Sequence, residues 1–303
     1  MSDYNLIMIA THQDDSCIKC LIDSIQDNNK KIKVLLLVIS QECEINCESR
    51  NSSLTIRRIN EVKMSLSKAR NIGIKYLSDQ KISSEYIMFP DDDSSFDEVF
   101  FNNFRSILGS DKCYLTSIYN TGSKDLFFDR KLKENTTVKI TDNQLIGSPN
   151  QIILYDKLKH KILFNEELGV GARYGSSEDL DLFLKINTNA NSYFFTDRLY
   201  SFHPKKTAAH DNVKFSQIIN RFRNYSTGFV YVVFKYKMFR FIPELFIRTL
   251  AAFVIFFFKG KFKLSFAYLF QFFIRIQILI YFLFNKPVCE ERKIAKSNLN
   301  LRN

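Results

Sequence analysis

The chain of 303 residues has no tryptophan and only four histidines, and both scarcities bear on its six cysteines. Cys17-Ile-Lys-Cys20 follows an apolar run and has the spacing of a redox motif. A flanking tryptophan is missing, and no thioredoxin-sized domain with its characteristic proline can be made out. Cys43 and Cys47 are near enough in sequence to join that pair at a zinc ion. Their C-x₃-C spacing in a polar loop, with no histidine close by, argues against it. Ordinary reduced cysteines are the reading that remains, because such short patterns recur by chance. The segment MSDYNLIMIATHQDD lacks the basic region and the longer apolar run of a secretory signal. The expectation is a cytoplasmic enzyme-like part whose cysteines stay thiols. An internal repeat is missing too, as is a glycine- and lysine-rich phosphate loop near the first apolar run.

What is present is a composition of 46% hydrophobic and 25% charged residues, enough apolar residues for a packed core. The length allows one large domain, or one domain with an appendage. The net charge of +11 is unevenly spread. Residues 1–204 hold 25 Lys/Arg against 28 Asp/Glu, and residues 205–303 hold 18 against 4 together with 18 of the 30 Phe. Binding of single-stranded nucleic acid calls for aromatics interleaved with Lys and Arg on one exposed face. Many of these Phe instead form long apolar runs, which favours an anionic membrane surface as partner and no nucleic acid.

Leu6–Ala10 and Val34–Ile39 are continuous apolar runs, the pattern of strands covered on both faces. Between them Ile18, Leu21, Ile22 and Ile25 recur at helical spacing. Ser65 or Ser67 is placed to cap a further helix carrying Ala69, Ile72, Ile74 and Leu77. Tyr86–Phe89 and Gln151–Tyr155 read as further strands. Strand, helix, strand, helix, strand predicts an α/β domain over 1–204 with a mainly parallel sheet. Residues 205–288 read as a basic, Phe-rich helical region, and 289–303 as a polar tail. Between Lys237 and Lys259 the polar residues Lys237, Arg240, Glu244, Arg248 and Lys259 fall on one stripe, as in a helix lying in a membrane interface. Leu264–Phe284 is long enough to span, yet Gln271, Arg275 and Gln277 sit near its middle, which favours a monotopic or re-entrant segment.

Two acidic clusters carry the chemistry. FPDDDSSF (89–96) sets Asp91, Asp92 and Asp93 directly after a strand, where open α/β sheets bind ligands. Alternate residues point the same way, so Asp91 and Asp93 can converge on Mn²⁺ or Mg²⁺ while Asp92 faces elsewhere. The plainer reading is a polar turn. GARYGSSEDLDLFLKI (171–186) sets Glu178 and Asp179 at a helix start behind flexible glycines. Ser176-Ser177-Glu178-Asp179 also fits a capping box. A carboxylate on a rigid helix start at a cleft edge is equally well placed to act as a base.

Four segments in order, ATHQDD (10–15), SLSKARNIGI (65–74), FPDDDSSF (89–96) and FNEELGVGARYGSSEDLDL (164–182), resemble the inverting glycosyltransferases of family 2. These have the GT-A fold, a Rossmann-like nucleotide-sugar-binding domain. The resemblance covers roughly residues 4–204, and RNYSTGFVY (223–231) is similar to members making bacterial surface polysaccharides. It implies that Asp179 is the general base and that Asp91 and Asp93 hold the metal. Thr11 and Gln13 would line the base pocket, with Arg70, Asn71, Asp92 and Glu178 on the donor side. The donor would be a nucleoside diphosphate sugar, and the acceptor a lipid-linked or oligosaccharide glycan met at the cytoplasmic face of the inner membrane. The second strand ends Ile39-Ser40-Gln41-Glu42 where relatives often carry an acidic turn, so base and ribose recognition is left open. His203, beside Pro204, reads as structural and is left out of the metal set, although a histidine approaches the metal in some relatives. Two other classes compete: a nucleotidyltransferase, which would want the missing phosphate loop, and a non-catalytic membrane-surface binding protein.

Overall fold

The computed structural model describes residues 2–12, 15–43, 48–108, 112–123, 125–127, 137–140, 151–156, 163–187, 193–204 and 213–287. Gln13, Cys47 and the polar tail 289–303 lie outside the described residues. The chain begins by alternating β1 (Tyr4–His12), α1 (Asp15–Asn28), β2 (Val34–Gln41), β3 (Leu54–Glu61), α2 (Leu66–Asp79) and β4 (Ser84–Met88). There follow α3 (Glu98–Ile107), β5 (Cys113–Asn120), β6 (Thr137–Lys139), β7 (Gln151–Leu154), α4 (Glu178–Asn187) and β8 (Tyr193–His203). Three helices close the described chain: α5 (Phe215–Lys235), α6 (Phe241–Phe258) and α7 (Phe262–Phe284).

The strands form one sheet in the order β3-β2-β1-β4-β7-β5-β8-β6. β3, β2, β1 and β4 are parallel; β7 runs against its neighbours β4 and β5; β8 is parallel to β5, and β6 is antiparallel at the edge. This is the expected α/β fold with a mainly parallel central sheet. The apolar runs are continuous because both faces are covered. Ile7, Ile9, Leu35 and Leu37 point to one side, against Ala69 and Leu77 of α2 and Leu182 of α4. Leu6, Met8, Leu36 and Val38 point to the other, against Ile18 and Leu21 of α1 and Phe100 and Phe104 of α3. Each fully buried side chain of this size contributes about 1.5–3 kcal/mol. Gly73 lets α2 lie close on β1: a Cβ there would stand 2.8 Å from Ile9 Cγ2.

Ser65 occupies the N-cap position of α2, yet its side chain makes no capping hydrogen bond. Ser67 does not cap either, for its hydroxyl donates to the Leu168 carbonyl at 2.6 Å. The helix start is thus tied to a distant loop instead of to its own amides.

The change of composition at residue 204 does not mark a change of core. Val230, Val232 and Phe234 of α5 and Ile274, Ile278 and Phe282 of α7 belong to the same buried cluster as the sheet. α6 is different, with only Thr249 buried. α6 and α7 are each long and apolar enough to cross a membrane, by length and composition. Arg275 of α7 turns inward, donating to Ser226 Oγ of α5 at 3.2 Å, the Leu245 carbonyl at 2.7 Å and Thr249 Oγ1. The cost of an arginine in an apolar helix is met by partners from two neighbouring helices.

Candidate active site

The parallel strands β1, β2, β4, β5 and β8 end on one edge of the sheet, and the acidic turn leaves β4 there. After Phe89-Pro90 the chain folds back, with the Ser94 amide donating to the Asp91 carbonyl at 3.0 Å. Ser95 and Phe202 then exchange backbone hydrogen bonds at 2.9 and 2.8 Å. This bridge brings the end of β8 to the turn. β8 reaches it because three residues, Asp197 to Leu199, are bulged out where Thr116 pairs with Thr196 and Ser117 with Tyr200.

His203 Nε2 consequently lies 3.0 Å from Asp93 Oδ1 and 4.0 Å from Asp91 Oδ2. The three side chains form a cluster whose ligand atoms all lie within 4.8 Å of one another. His203, left out of the metal set by its sequence context, lies with the acidic turn; nothing local in SFHPKK signals a pairing that depends on Ser95. Asp93 Oδ1 is buried and has no partner other than the His203 imidazole nitrogen it faces at 3.0 Å. Two carboxylates and an imidazole in this arrangement fit a divalent cation. Burial alone would lower the His203 pKa; its contacts with Asp93 and the Pro204 carbonyl, and the charges of Asp93 and Asp91, outweigh that and raise it. Asp92 stands outside this cluster. Burial, then the charges of Asp93 and Asp91, push its carboxyl up to about 6.

Arg70 joins the two acidic clusters. Its side chain is 1% exposed, with one guanidinium nitrogen 2.9 Å from Asp179 Oδ1 and 3.7 Å from Glu178 Oε1. The other lies 3.4 Å from Asp91 Oδ1 and donates to the Phe89 carbonyl at 3.2 Å. The rings of Phe164 and Phe89 lie 5.2 and 5.9 Å from the guanidinium carbon. Burial would ease loss of the Arg70 proton, but Asp179, Glu178 and Asp91 outweigh it and raise the pKa. Burial pushes the Asp179 carboxyl up to about 8 against the pull of Arg70. Glu178 is raised for the same reason, again against Arg70.

Asn71, the next residue, staples the loop that follows. It donates to the Phe164 carbonyl at 3.1 Å and to Glu166 Oε1 at 3.0 Å, and accepts from the Phe164 amide at 2.9 Å. The resemblance puts Arg70 and Asn71 beside the donor; the structure sets both side chains inward, behind the acidic turn and under the loop. Thr11 is half-buried at the end of β1. Beside it His12 lies 2.9 Å from Ser40 Oγ through Nε2 and 3.5 Å from Cys43 Sγ through Nδ1. Cys20 is an exposed free thiol.

The loop before α4 is shaped by backbone that side chains disfavour. Gly169 has φ +100° and Gly171 φ +79°, and Ser177 takes φ +68° immediately before Glu178. The Ser176 hydroxyl is not turned to the amides of α4 as in a capping box. It donates to the carbonyls of Asn224 and Tyr225 in α5, both at 3.2 Å. A Cβ at Gly228 would stand 2.2 Å from the Ser176 carbonyl oxygen, and one at Gly175 would stand 2.7 Å from Asn224 Cβ. The RNYSTGFVY segment is therefore the surface on which the acid pair is moulded. Deeper in, Asp181 is fully buried; its Oδ1 receives Lys235 Nζ at 2.8 Å and Tyr236 OH at 3.1 Å, and Lys185 Nζ forms an ion pair with Oδ2 at 3.1 Å.

No family model and no curated protein matches the chain. Solved structures do resemble it in outline. S. aureus TarS 1-349 in complex with UDP-GlcNAc is 16% identical over 74% of this chain and 66% of that one, with a TM-score of 0.48. S. aureus TarS 1-349 in complex with UDP is 14% identical over 93% of this chain and 92% of that one, at 0.49. GalNAc-T7 with UDP, GalNAc and Mn²⁺ is 11% identical over 66% and 43%, at 0.46. The chain spans less than two-thirds of the first and the last of these. Likenesses of this size identify no residue and carry no activity over to this chain.

Proposed function

We propose that the chain is an inverting glycosyltransferase that moves a sugar from a nucleoside diphosphate donor to a lipid-linked or oligosaccharide acceptor. The observation that carries this reading is Arg70, which links the Asp91-Asp93-His203 cluster to a buried carboxyl at 2.9 Å, Asp179. A cation-holding group beside a high-pKa carboxyl, at the carboxyl ends of parallel strands, suits displacement of a diphosphate by a hydroxyl. The motif order in the sequence supports the same class. In this reading Asp179, ionised, takes the proton of the acceptor hydroxyl as its oxygen attacks the anomeric carbon. The new C–O bond forms as the bond to the diphosphate breaks, on the opposite face. Held by Asp91, Asp93 and His203, a Mn²⁺ or Mg²⁺ ion would stabilise the charge on the departing diphosphate. Arg70 keeps Asp179 and Asp91 at fixed separation, so base and leaving-group side are set by one rigid side chain.

α6 and α7 support the proposed acceptor class. Phe258 and Phe284 are 83% and 85% exposed, and Lys259, Lys261 and Lys263 surround the turn between the helices. Exposed aromatics among lysines suit the headgroup region of an anionic membrane, where a lipid-linked glycan is found. The cytoplasmic face of the inner membrane, in bacterial surface polysaccharide synthesis, is the setting that fits. The test is calorimetric titration of detergent-solubilised full chain with UDP, GDP and dTDP, with and without Mn²⁺, repeated on Asp93→Ala. Metal-dependent binding of one nucleotide, lost in the variant, is expected; folded protein that binds none of them under any condition would sink the reading.

A further inference from the structure

The face of α7 opposite its exposed phenylalanines is buried along Gln271, Ile274, Ile278 and Phe282. At its last turn this face meets the loop that leads to the acid pair. Phe282 is fully buried, with its ring centroid 5.6 Å from that of Tyr174 and 5.9 Å from that of Tyr231 in α5. The Tyr174 and Tyr231 rings lie 4.6 Å apart, tilted by 31°. Next to Phe282, the Tyr281 hydroxyl accepts a hydrogen bond from Arg173 at 2.9 Å. Arg173 in turn pairs with Glu167 at 3.6 Å. Residues 167 to 174 close on themselves through the Gly169 amide to the Tyr174 carbonyl at 3.0 Å and the Tyr174 amide to the Glu167 carbonyl at 2.8 Å. The loop is therefore a small closed unit whose outer side rests on the end of α7 and whose inner side leads through Ser176 to Glu178 and Asp179.

We propose that Tyr281 and Phe282 are positioning residues for this loop, through which seating of α6 and α7 on a lipid surface orders the acceptor side of the site. The proposal rests on the transferase reading for the word acceptor, but its geometry does not. One helix carries both contacts: Phe273, Ile280 and Leu283 are exposed on the outward side, while Phe282 grips Tyr174 on the inward side. A helix held in place by lipid on one face holds the loop with the other. A helix free to rock loosens Tyr174 and with it the approach to Asp179. Donor binding is expected to be spared, because Arg70 and His203 pair with Asp91, Asp93, Glu178 and Asp179, whereas Tyr281 and Phe282 meet Arg173, Tyr174 and Tyr231.

The test is amide hydrogen exchange of the full chain in nanodiscs of phosphatidylethanolamine and phosphatidylglycerol, and in lipid-free detergent. Phe282→Ala is expected to speed exchange across residues 167–176 by about tenfold or more while β1 keeps its protection. Tyr281→Phe, which removes one hydroxyl and cannot unfold the core, is expected to give a smaller increase confined to the same loop. Phe284→Ala, at an exposed neighbour, is expected to leave the loop as in the parent protein. Moving the parent protein from nanodisc to detergent is expected to speed loop exchange as Tyr281→Phe does. Where transfer is measured, Tyr281→Phe should raise the acceptor KM and leave the donor KM unchanged. Unchanged loop exchange in both Tyr281→Phe and Phe282→Ala, or equal loop exchange in lipid and detergent, overturns the proposal. Loss of nucleotide binding by the parent protein would instead strike the transferase reading and leave the exchange result standing.

Discussion

Arg70 is the residue on which most of the site's electrostatics turns. It is enclosed, and it faces Asp91, Glu178 and Asp179 together. Removing it strands buried carboxylates without a counter-charge, which costs about 3–5 kcal/mol. Urea denaturation of Arg70→Ala should show a loss of that size. Asp93→Asn should abolish metal-dependent nucleotide binding, read by calorimetric titration with and without Mn²⁺. The crowding of these carboxylates sets a pH dependence opposite to that of an ordinary ion-paired aspartate. Asp179 is pushed up to about 8 and Asp92 to about 6, each first by burial. In the unfolded chain both ionise near the usual aspartate value of about 3.9. Between those values the folded state holds more protons, so stability is fully present below about pH 4 and falls as pH rises toward 8. The slope is at most about 1.4 kcal/mol per pH unit for each group. Denaturation of metal-free protein at several pH values should show the fall, and Asp179→Asn should flatten its upper part. Transfer should run the other way, rising with pH as Asp179 ionises and becomes able to accept a proton.

Among the elements, α5 departs most from what its sequence signals. Gly228 lies inside this helix, where alanine would ordinarily be better by about 1 kcal/mol. Here a Cβ would meet the Ser176 carbonyl oxygen at 2.2 Å, and backbone does not give way as a flexible side chain would. Gly228→Ala should therefore destabilise by about 1–3 kcal/mol and shift the start of α4. Thermal unfolding would register the first effect. Transfer falling while metal-dependent nucleotide affinity stays would register the second. The contrast with β1, β2, α1 and α2 shows what was legible in the sequence. Those elements bury continuous apolar runs or a helical stripe, and the pattern is complete within each segment. β5 was not legible because it buries Thr116 and Ser117 among its apolar residues, and β3 because it is half-exposed along much of its length. The serines misled for a related reason: Ser67 and Ser176 sit where caps belong but spend their hydroxyls on Leu168, Asn224 and Tyr225. Asp91, Asp93 and Asp179 stood out as acids in ordered motifs. Their connection through Arg70 spans 109 residues of sequence to Asp179, and His203 joins them only because β8 bulges and pairs with Ser95. No window of sequence contains those pairings.

For the whole molecule the uneven charge and the exposed phenylalanines become one property. Of the 18 Lys/Arg after residue 204, set against 4 Asp/Glu, six lie in α5, α6 and α7, and Lys237, Arg240, Lys259 and Lys261 lie in the turns between them; these helices pack on the sheet's core on one side and expose apolar surface on the other. Attraction to anionic lipid and burial of phenylalanine act together there but respond differently to salt. The first is screened within about 10 Å at moderate ionic strength; the second is not. Lys259 and Lys261 flank the turn between α6 and α7, with Phe258 exposed beside them. Replacing both lysines by glutamine should weaken binding to phosphatidylglycerol vesicles at low salt by about 2 kcal/mol, roughly 30-fold, and change little at high salt. Phe258→Ser should act in reverse, lowering the binding that survives high salt and sparing the salt-sensitive part. Vesicle sedimentation across a salt series separates the two. Binding that vanished entirely with salt would make these helices an electrostatic patch for any polyanion. Binding that persists, and depends on Phe258, would mean that the molecule holds its site at a lipid surface by insertion, with lysines choosing which surface.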